Sequence, residues 1–147
     1  MQYAISTGAI VLREGQLLLV HHRSEGYDFW VPPGGRQRGE ESIFDCAARE
    51  TQEETGLSVT PTRILYVEEF VEASLHFVKF WLLAPDPGGE LSVAGRDPDE
   101  VHLIETRFVS RDAMRSLVVF PRVLHDGFWD DLANRFPRTR YLGLQHI

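Results

Sequence analysis

The sequence predicts a single domain, residues 1–147, in which strands and helices interleave as in the α/β or α+β class. Three observations support this prediction. The chain has 147 residues, 43% of them hydrophobic, enough to bury roughly 70% of the surface that its unfolded form exposes. Apolar runs of strand length lie on both sides of one segment with helical periodicity. No repeat, low-complexity segment or linker divides the chain.

The N-terminal third is predicted to form strands that lead into a loop. Between Ala4 and Val20, the apolar stretches AIVL and LLLV flank a polar turn at 13–16, which predicts two antiparallel strands joined as a hairpin. Trp30 and Val31 form a short extended piece, and the Pro-Pro-Gly-Gly run at 32–35 prevents regular structure directly after it.

The segment from Ser42 to Thr55 predicts the clearest helix. Gly56 stands where a left-handed C-terminal cap is expected, and Ser42 with Asp45 three residues later resembles a capping box. The residues at helical spacing along one face are Ile43, Phe44, Ala47, Ala48 and Thr51.

Downstream of this helix the pattern is mostly that of strands. Strands are predicted at 57–59, 64–70 and 75–84, with a hairpin turn at 71–74 and a further strand ending at Val109. A short helix is expected from Ser110 or Arg111 to about Leu117, and another from Pro121 to about Arg135, weakened by Gly127. The tail 136–147 is left unassigned.

Composition excludes several classes of function. A net charge of −7 argues against nucleic acid as the main partner, because that affinity comes from clustered Lys and Arg. Lys79 is the only lysine, and Cys46 is the only cysteine, so no intrachain disulfide and no cysteine-based zinc site can form. There is no basic leader, and the apolar runs are far shorter than the ~18 residues that a membrane span needs. These features predict a cytoplasmic protein without a membrane partner.

A cluster of carboxylates on the predicted helix requires an explanation. Glu50, Glu53 and Glu54 stand at i, i+3 and i+4, so they project from one side within about one turn and repel one another. One interpretation is a solvated acidic face with Arg49 as its counter-ion.

Two features favour a metal site instead. A helical projection places the three glutamates at the border of the apolar face rather than opposite it. A Gly-Gly pair also lies just upstream, where backbone carbonyls and a bulky anion can approach closely. Carboxylate and carbonyl oxygens without His or Cys select Mg²⁺ or Mn²⁺ over zinc. Magnesium shared between carboxylates and substrate phosphates indicates phosphoryl-transfer chemistry.

The spacing of these residues resembles the Nudix box, G-x5-E-x7-R-E-U-x-E-E-x-G-U, where U is apolar. All seven fixed positions of the box are present, namely Gly35, Glu41, Arg49, Glu50, Glu53, Glu54 and Gly56. Thr51 replaces the usual aliphatic residue, and Pro33 replaces the leucine common before the two glycines. The strand order around the box is similar to the family over nearly the whole chain.

The resemblance implies an α/β/α sandwich with a mixed central sheet, and an activity. The expected reaction is Mg²⁺- or Mn²⁺-dependent hydrolysis of a nucleoside diphosphate linked to another moiety, such as a nucleotide sugar, a dinucleoside polyphosphate or a (d)NTP. The implied metal ligands are Glu50, Glu53, Glu54 and the Gly35 carbonyl. Arg49 would orient Glu50, and Glu41 would support the loop–helix geometry or a second metal. The family often forms homodimers, so a homodimer is an expected assembly.

The residues outside the helix that would serve the reaction are less sharply defined. A carboxylate must take the proton of the attacking water, either in the box or on a loop, and Glu100 is the loop candidate with Glu105 as second choice. Phe29 and Trp30 could stack on a base, and Arg36 is a third candidate for contact with substrate. His21 and His22 end a strand on opposite faces, so at most one of them could meet substrate phosphates.

Two rival functions share the same fold. A nucleotide-sensing module would keep the fold without catalysis, but such relatives usually carry a degraded box or a DNA-binding domain. An RNA 5′-end pyrophosphohydrolase should present a basic surface, which the net charge of −7 does not indicate. The residues that would mark an ADP-ribose or dinucleoside polyphosphate subfamily are missing at 73–75, so the moiety linked to the nucleoside diphosphate is not identified.

Overall fold

The computed structural model describes residues 1–147, and its strands form two sheets. The larger sheet has the order β5-β1-β7-β6-β9, formed by Gly34–Arg36, Gln2–Ile10, Leu75–Leu83, Arg63–Glu72 and Arg140–His146. The smaller sheet is centred on β3 (Gln16–Ser24), which pairs antiparallel with β2 (Leu12–Arg13), β4 (Tyr27–Val31) and β8 (Leu103–Val109). In the larger sheet β1 runs parallel to β7 and β6 antiparallel to it, so the sheet is mixed as expected.

Helices cover both faces of the larger sheet. The helix α1 (Ile43–Thr55) packs on one face, where Thr7 Oγ1 donates to Cys46 Sγ at 3.2 Å. On the opposite face, Tyr66 Oη donates to Asp131 Oδ2 at 2.6 Å on α3 (Gly127–Ala133). A short helix α2 (Arg111–Met114) and a 3₁₀ turn (Arg122–His125) precede α3. The predicted α/β/α sandwich is confirmed, and no helix has the length and apolar content that crossing a bilayer requires.

The predicted ends of α1 are confirmed. Ser42 Oγ accepts a hydrogen bond from the Asp45 amide at 3.0 Å, which satisfies one free N–H of the first turn. Gly56 adopts φ 80° and its amide donates to Gln52 O at 2.9 Å, a conformation that only glycine takes without strain. These caps fix the start of the helix and therefore the direction in which its glutamates project.

The predicted N-terminal hairpin is wrong in part. Only Leu12–Arg13 pairs back on Gln16–Leu17 around the turn, whereas the preceding strand β1 joins the other sheet, between β5 and β7. The chain changes sheets at Val11; Ala9, Ile10 and Val11 are fully buried, and Leu12 is partly buried. Because burial on both faces removes the alternation that identifies a partner strand, the sequence pattern could not assign these residues to two sheets.

Three other elements differ from the prediction. Residues 57–59 form no strand, but Leu57 and Val59 are buried in a small cluster with Ala9. The helix predicted from Pro121 to Arg135 is interrupted at Asp126, which has φ −137° and ψ −86° and caps the Gly127 amide. The helix that begins after Ser110 ends at Met114. In the first two cases tertiary burial or a side-chain cap overrides the local pattern.

The unassigned tail forms an edge strand of the larger sheet. Strand β9 pairs parallel with β6, from Tyr66–Arg140 to Val71–His146. Parallel pairing places residues that are far apart in sequence side by side, so no local signal predicts it. The main core lies between the two sheets and the C-terminal helices, where Ile10, Leu19 and Phe128 are fully buried.

The close approach of Trp81 to β1 makes a prediction about stability. A Cβ added to Gly8 would overlap the Trp81 ring, which lies across the strand. We expect Gly8→Ala to lower the free energy of unfolding by about 1–3 kcal/mol, the usual cost of overpacking. Urea unfolding measures the change, with Gly95→Ala as control because its added Cβ has only ordinary contacts, 3.4 Å or longer. Equal stability of both variants would contradict this packing.

Candidate metal and substrate site

Three carboxylates form the only compact group of potential metal ligands in the fold. Glu50, Glu54 and Glu100 each offer an oxygen, and these oxygens lie within 4.8 Å of one another. Glu50 and Glu54 are 4% and 2% exposed, while Glu100 is half-buried. The helical projection placed the three glutamates at the border of the apolar face; Glu50 and Glu54 are buried beyond that expectation, and the Glu53 side chain is 27% exposed.

Local structure explains how the three carboxylates meet. Glu50 and Glu54 are one turn apart on α1, and Glu100 comes from the long loop between β7 and β8, where its amide donates to Asp97 O at 2.9 Å. That loop is fastened to the end of α1, because the Ser92 amide donates to Thr55 O at 2.8 Å. The loop thus brings the Glu100 carboxylate next to the Glu50 and Glu54 carboxylates of α1.

The two glycines before α1 allow the backbone to reach the carboxylates. A Cβ added to Gly35 would lie 2.5 Å from Glu50 Cδ, so a larger residue would displace that carboxylate. The Gly34 amide donates to Glu54 Oε1 at 2.7 Å, and the Gly35 carbonyl accepts from Ser6 Oγ at 3.1 Å. The Gly35 backbone therefore borders the carboxylate group, which is the position expected for a carbonyl ligand.

Arg49 supplies the positive charge that the clustered glutamates require. Its guanidinium donates to both oxygens of Glu41, at 2.7 and 3.0 Å, to Glu50 Oε1 at 3.0 Å and to the Arg36 carbonyl at 3.1 Å. The contact with Arg49 lowers the pKa of Glu41 to about 2. Arg49 thus connects the loop to the helix and holds the Glu50 carboxylate in place, the contact that the resemblance implied.

One arginine does not neutralise the group. Burial raises the pKa of Glu50, and Arg49 only partly opposes this. Burial, followed by the neighbouring Glu100 carboxylate, raises the pKa of Glu54 well above its ordinary value, against the hydrogen bond from the Gly34 amide. Neutralising the negative charge of the group is therefore favourable. A bound cation would neutralise it while the carboxylates stay ionised. An all-oxygen set of this size fits a divalent ion such as Mg²⁺.

Two predicted site residues lie outside this group. The Glu53 carboxylate turns to Arg49, 3.4 Å from Nη1. Glu105 forms an ion pair with Arg107 at 3.0 Å and lies 3.7 Å from His21 Nδ1. Their roles as metal ligand and as alternative base stay predictions.

A cavity of about 770 Å³ opens between the larger sheet and the segment that follows β8. Sixteen residues line it; the aromatic ones are Phe29, Phe70, Phe77, Trp81 and Phe120, and the charged ones are Glu68, Lys79, Arg122, Asp126 and Arg140. Phe29 is one of the predicted stacking residues. Trp30 does not line the cavity, because it is buried in the core with its ring stacked 4.1 Å from that of His21. Arg36 borders a separate shallow depression.

The cavity and the carboxylate group are one strand apart. Lys79 on the cavity floor pairs with Ser6 of β1, Ser6 Oγ donates to the Gly35 carbonyl, and Gly35 borders Glu50. The negative charges of Glu54 and Glu50 also oppose the lowering of the Lys79 pKa by burial. A molecule with an apolar ring and an anionic group could therefore occupy both places at once.

Sequence reasoning missed most of the cavity. Glu68 and Lys79 could have pointed to the cavity in the sequence, since each is a charged residue in a strand that is mostly apolar. They meet across β6 and β7, and that register was not deduced from the sequence. Residues from β9 also complete the wall, in the tail that was left unassigned.

The part of the chain that carries this site matches a known family. A family model described as the NUDIX domain matches residues 2–126, which include the carboxylate group and most of the cavity. The chain belongs to the NUDIX family. The resemblance seen in the box is thereby confirmed, and β9 lies beyond the residues that the NUDIX model matches.

Individual relatives are similar to this chain in sequence or in fold. The 8-oxo-dGDP phosphatase NUDT18 of Danio rerio is 33% identical over 95 residues, 63% of this chain and 28% of that protein. Phosphatase NudJ of Escherichia coli K12 is 30% identical over 67 residues, 46% of this chain and 44% of NudJ. The matches thus span less than half the length of either curated relative. A NUDIX hydrolase structure from Nitrosomonas europaea superposes with a TM-score of 0.78 at 19% identity, over 100% of this chain and 81% of that one.

Proposed function

We propose that this protein hydrolyses the diphosphate linkage of a nucleoside diphosphate derivative with the help of Mg²⁺ or Mn²⁺. The observation that carries the proposal is the group formed by Glu50, Glu54 and Glu100, one strand away from an aromatic cavity. Buried carboxylates suit a divalent ion, and the cavity suits a base. The relative named as an 8-oxo-dGDP phosphatase supports a substrate that joins these two parts.

Each residue of the site has a separate task. Glu50, Glu54 and the Gly35 carbonyl would hold the ion, which when bound neutralises phosphate charge and lowers the pKa of a coordinated water. Arg49 keeps Glu50 in position through its 3.0 Å contact, and the Gly34 amide keeps Glu54 oriented at 2.7 Å. Aromatic side chains such as Phe29 would stack on the base and exclude water from the cavity.

Glu100 is the proposed proton acceptor. It reaches the group from a loop, is half-buried, and adds its charge next to Glu54. A carboxylate that does not need to hold the ion throughout can take the proton of the attacking water. The Glu105 carboxylate is engaged with Arg107, which makes it the weaker candidate.

A substrate panel tests the proposed reaction. Nucleotide sugars, dinucleoside polyphosphates and (d)NTPs, including oxidised guanine nucleotides, are incubated with Mg²⁺ or with EDTA, and the products are followed by ³¹P NMR. The proposal predicts metal-dependent hydrolysis of a P–O–P linkage in at least one of these substrate classes. Tight nucleotide binding without turnover would instead identify a nucleotide-sensing module, and selective action on triphosphorylated RNA would identify a 5′-end pyrophosphohydrolase.

The role of Glu100 makes a kinetic prediction. Glu100→Gln keeps the shape of the side chain but removes the proton acceptor, so kcat should fall by about 10²-fold or more while KM changes little. Steady-state kinetics on the best substrate measures both constants. Asp99→Asn is the control, because this neighbouring carboxylate is exposed on the same loop. A kcat of Glu100→Gln within about twofold of wild type, below ~0.5 kcal/mol of barrier, would assign the base to the helix.

A further inference from the structure

Two opposite charges on the cavity floor face each other without forming an ion pair. Glu68 on β6 and Lys79 on β7 are cross-strand neighbours, yet no ion pair joins the Lys79 ammonium to the Glu68 carboxylate or to any other. Glu68 is 2% exposed, and its Oε1 accepts the Trp81 indole N–H at 2.9 Å. Its second oxygen, Oε2, has no partner within the protein, and the Lys79 ammonium lies 4.7 Å from the Trp81 ring centroid without a hydrogen bond.

This arrangement leaves hydrogen-bonding capacity directed at the cavity. Glu68 is buried and Lys79 is half-buried, and charged groups in such surroundings are normally paired, because leaving a charge unpaired there is costly. Burial raises the pKa of Glu68, opposed by the Trp81 hydrogen bond and by the charge of Lys79. An acceptor and a donor therefore lie on neighbouring strands in a cavity that aromatic side chains also line. Phe70 and Phe77 stack at 5.0 Å, and Phe29 meets Phe120 edge to face at 5.8 Å.

We propose that Glu68 and Lys79 together bind the lactam edge of a nucleobase, where a carbonyl oxygen stands beside a ring N–H. The proposal rests on the proposed function, because it places the nucleoside half of the substrate in this cavity. Lys79 donates to the carbonyl oxygen, and Glu68 Oε2 accepts the ring N–H. Both hydrogen bonds are charge-assisted and made in a desolvated site, so both contribute strongly to discrimination.

The lactam edge fits this pair better than the amidine edge. In guanine, hypoxanthine and uracil the carbonyl carries the larger negative charge and the ring N–H is the stronger donor, which matches an ammonium beside a carboxylate. Adenine and cytosine present a ring nitrogen and an exocyclic amino group, which gain less from these charges. The structure therefore assigns base preference to two strand residues outside the Nudix box.

Binding of nucleoside diphosphates without metal tests the proposal apart from catalysis. GDP, UDP, ADP and CDP are titrated in EDTA against wild type and Glu68→Gln by calorimetry. Wild type should bind GDP and UDP at least about tenfold tighter than ADP and CDP. Glu68→Gln preserves an oxygen for the Trp81 N–H but loses the charged acceptor. It should therefore weaken GDP and UDP about tenfold or more and change ADP and CDP by less than about twofold.

A matched control and a second readout distinguish recognition from structure. Glu69→Gln is the control, because Glu69 is next on the same strand but turns away to His76 and Tyr141. Lys79 is the only lysine, so reductive methylation with ¹³C-formaldehyde gives one side-chain signal besides that of the N-terminal amine. GDP and UDP should shift this signal, and the shift should exceed that caused by ADP.

Several results would overturn the proposal. These are equal weakening of all four nucleotides by Glu68→Gln, no base preference in wild type, no binding of any of the four, or a lysine signal that bound GDP leaves unchanged. Turnover in the metal-dependent panel without base preference would refute base reading while the proposed function stands. Selective binding of GDP and UDP without any turnover would refute the proposed hydrolysis while base reading stands.

Discussion

Glu54→Gln should reduce metal-dependent hydrolysis at least about 100-fold, equivalent to ~2.7 kcal/mol of barrier. The Glu54 side chain is 2% exposed and lies between Glu100 and the Gly34 amide. Glutamine keeps the volume but provides a neutral ligand, so the ion loses one of its buried negative partners. The expected loss appears in kcat and in the concentration of Mg²⁺ needed for half-maximal rate, both measured on the best substrate of the panel.

The control for this variant separates folding from chemistry. Glu40→Gln removes an exposed carboxylate from the loop just before the same helix and should leave both constants within about twofold of wild type. Circular dichroism should show that Glu54→Gln keeps the fold, because the substitution relieves repulsion with Glu100. A Glu54→Gln rate equal to that of Glu40→Gln would remove Glu54 from the site.

The stability of the metal-free protein should fall as pH rises above the ordinary range of glutamate. The folded-state pKa of Glu54 and of Glu50 is raised above 4.5, so the folded chain binds protons more tightly than the unfolded chain does. Their contribution is fully present below pH 4.5 and is lost as pH rises through the raised values. Glu41 acts in the opposite direction, since its pKa is lowered to about 2; its contribution is lost as pH falls from 4.5 toward 2.

Mg²⁺ should reverse the loss at high pH. Ion at roughly ten times its dissociation constant adds about 1.4 kcal/mol to the free energy of unfolding, because it binds the folded chain preferentially. That raises the melting temperature by a few degrees in a domain of this size. Protonated carboxylates cannot bind the ion, so the increment at pH 8 should exceed that at pH 5.

Melting curves at both pH values, with EDTA or Mg²⁺, measure these effects in wild type and Glu54→Gln. The variant should be more stable than wild type at pH 8 without metal and should lose most of its response to Mg²⁺, while Glu40→Gln behaves as wild type. Equal Mg²⁺ increments in wild type and Glu54→Gln would show that the glutamates are a solvated acidic face.

The structural features that local sequence patterns determine could be predicted. The spacing of the Nudix box, the caps at Ser42 and Gly56, and the burial of Glu50 and Glu54 all follow from the geometry of one helix. These features depend on residues within a few positions of one another. The family match over 2–126 confirms the identification made from that short segment.

The parts that depend on distant strand pairing could not be predicted. The first strand pairs with β7 about seventy residues later, and β9 joins β6 from the end of the chain; loop closure and burial decide such pairings, and neither is encoded in a short window. The cavity depends on the same pairings, because Glu68 and Lys79 share its floor only through the β6–β7 register. Trp30 was a candidate for stacking on a base, but it is buried in the core. An aromatic residue beside a glycine loop suits either place, so the sequence could not decide between them.

A Mn²⁺ titration followed by electron paramagnetic resonance shows whether the buried carboxylates of Glu50 and Glu54 hold a divalent ion. The signal of free Mn²⁺ disappears on binding, so the dissociation constant is obtained without substrate or turnover. We expect Glu54→Gln to weaken Mn²⁺ binding by about tenfold or more, while Asp99→Asn and Glu40→Gln leave the dissociation constant unchanged. Equal Mn²⁺ affinity in wild type and these three variants would contradict this assignment.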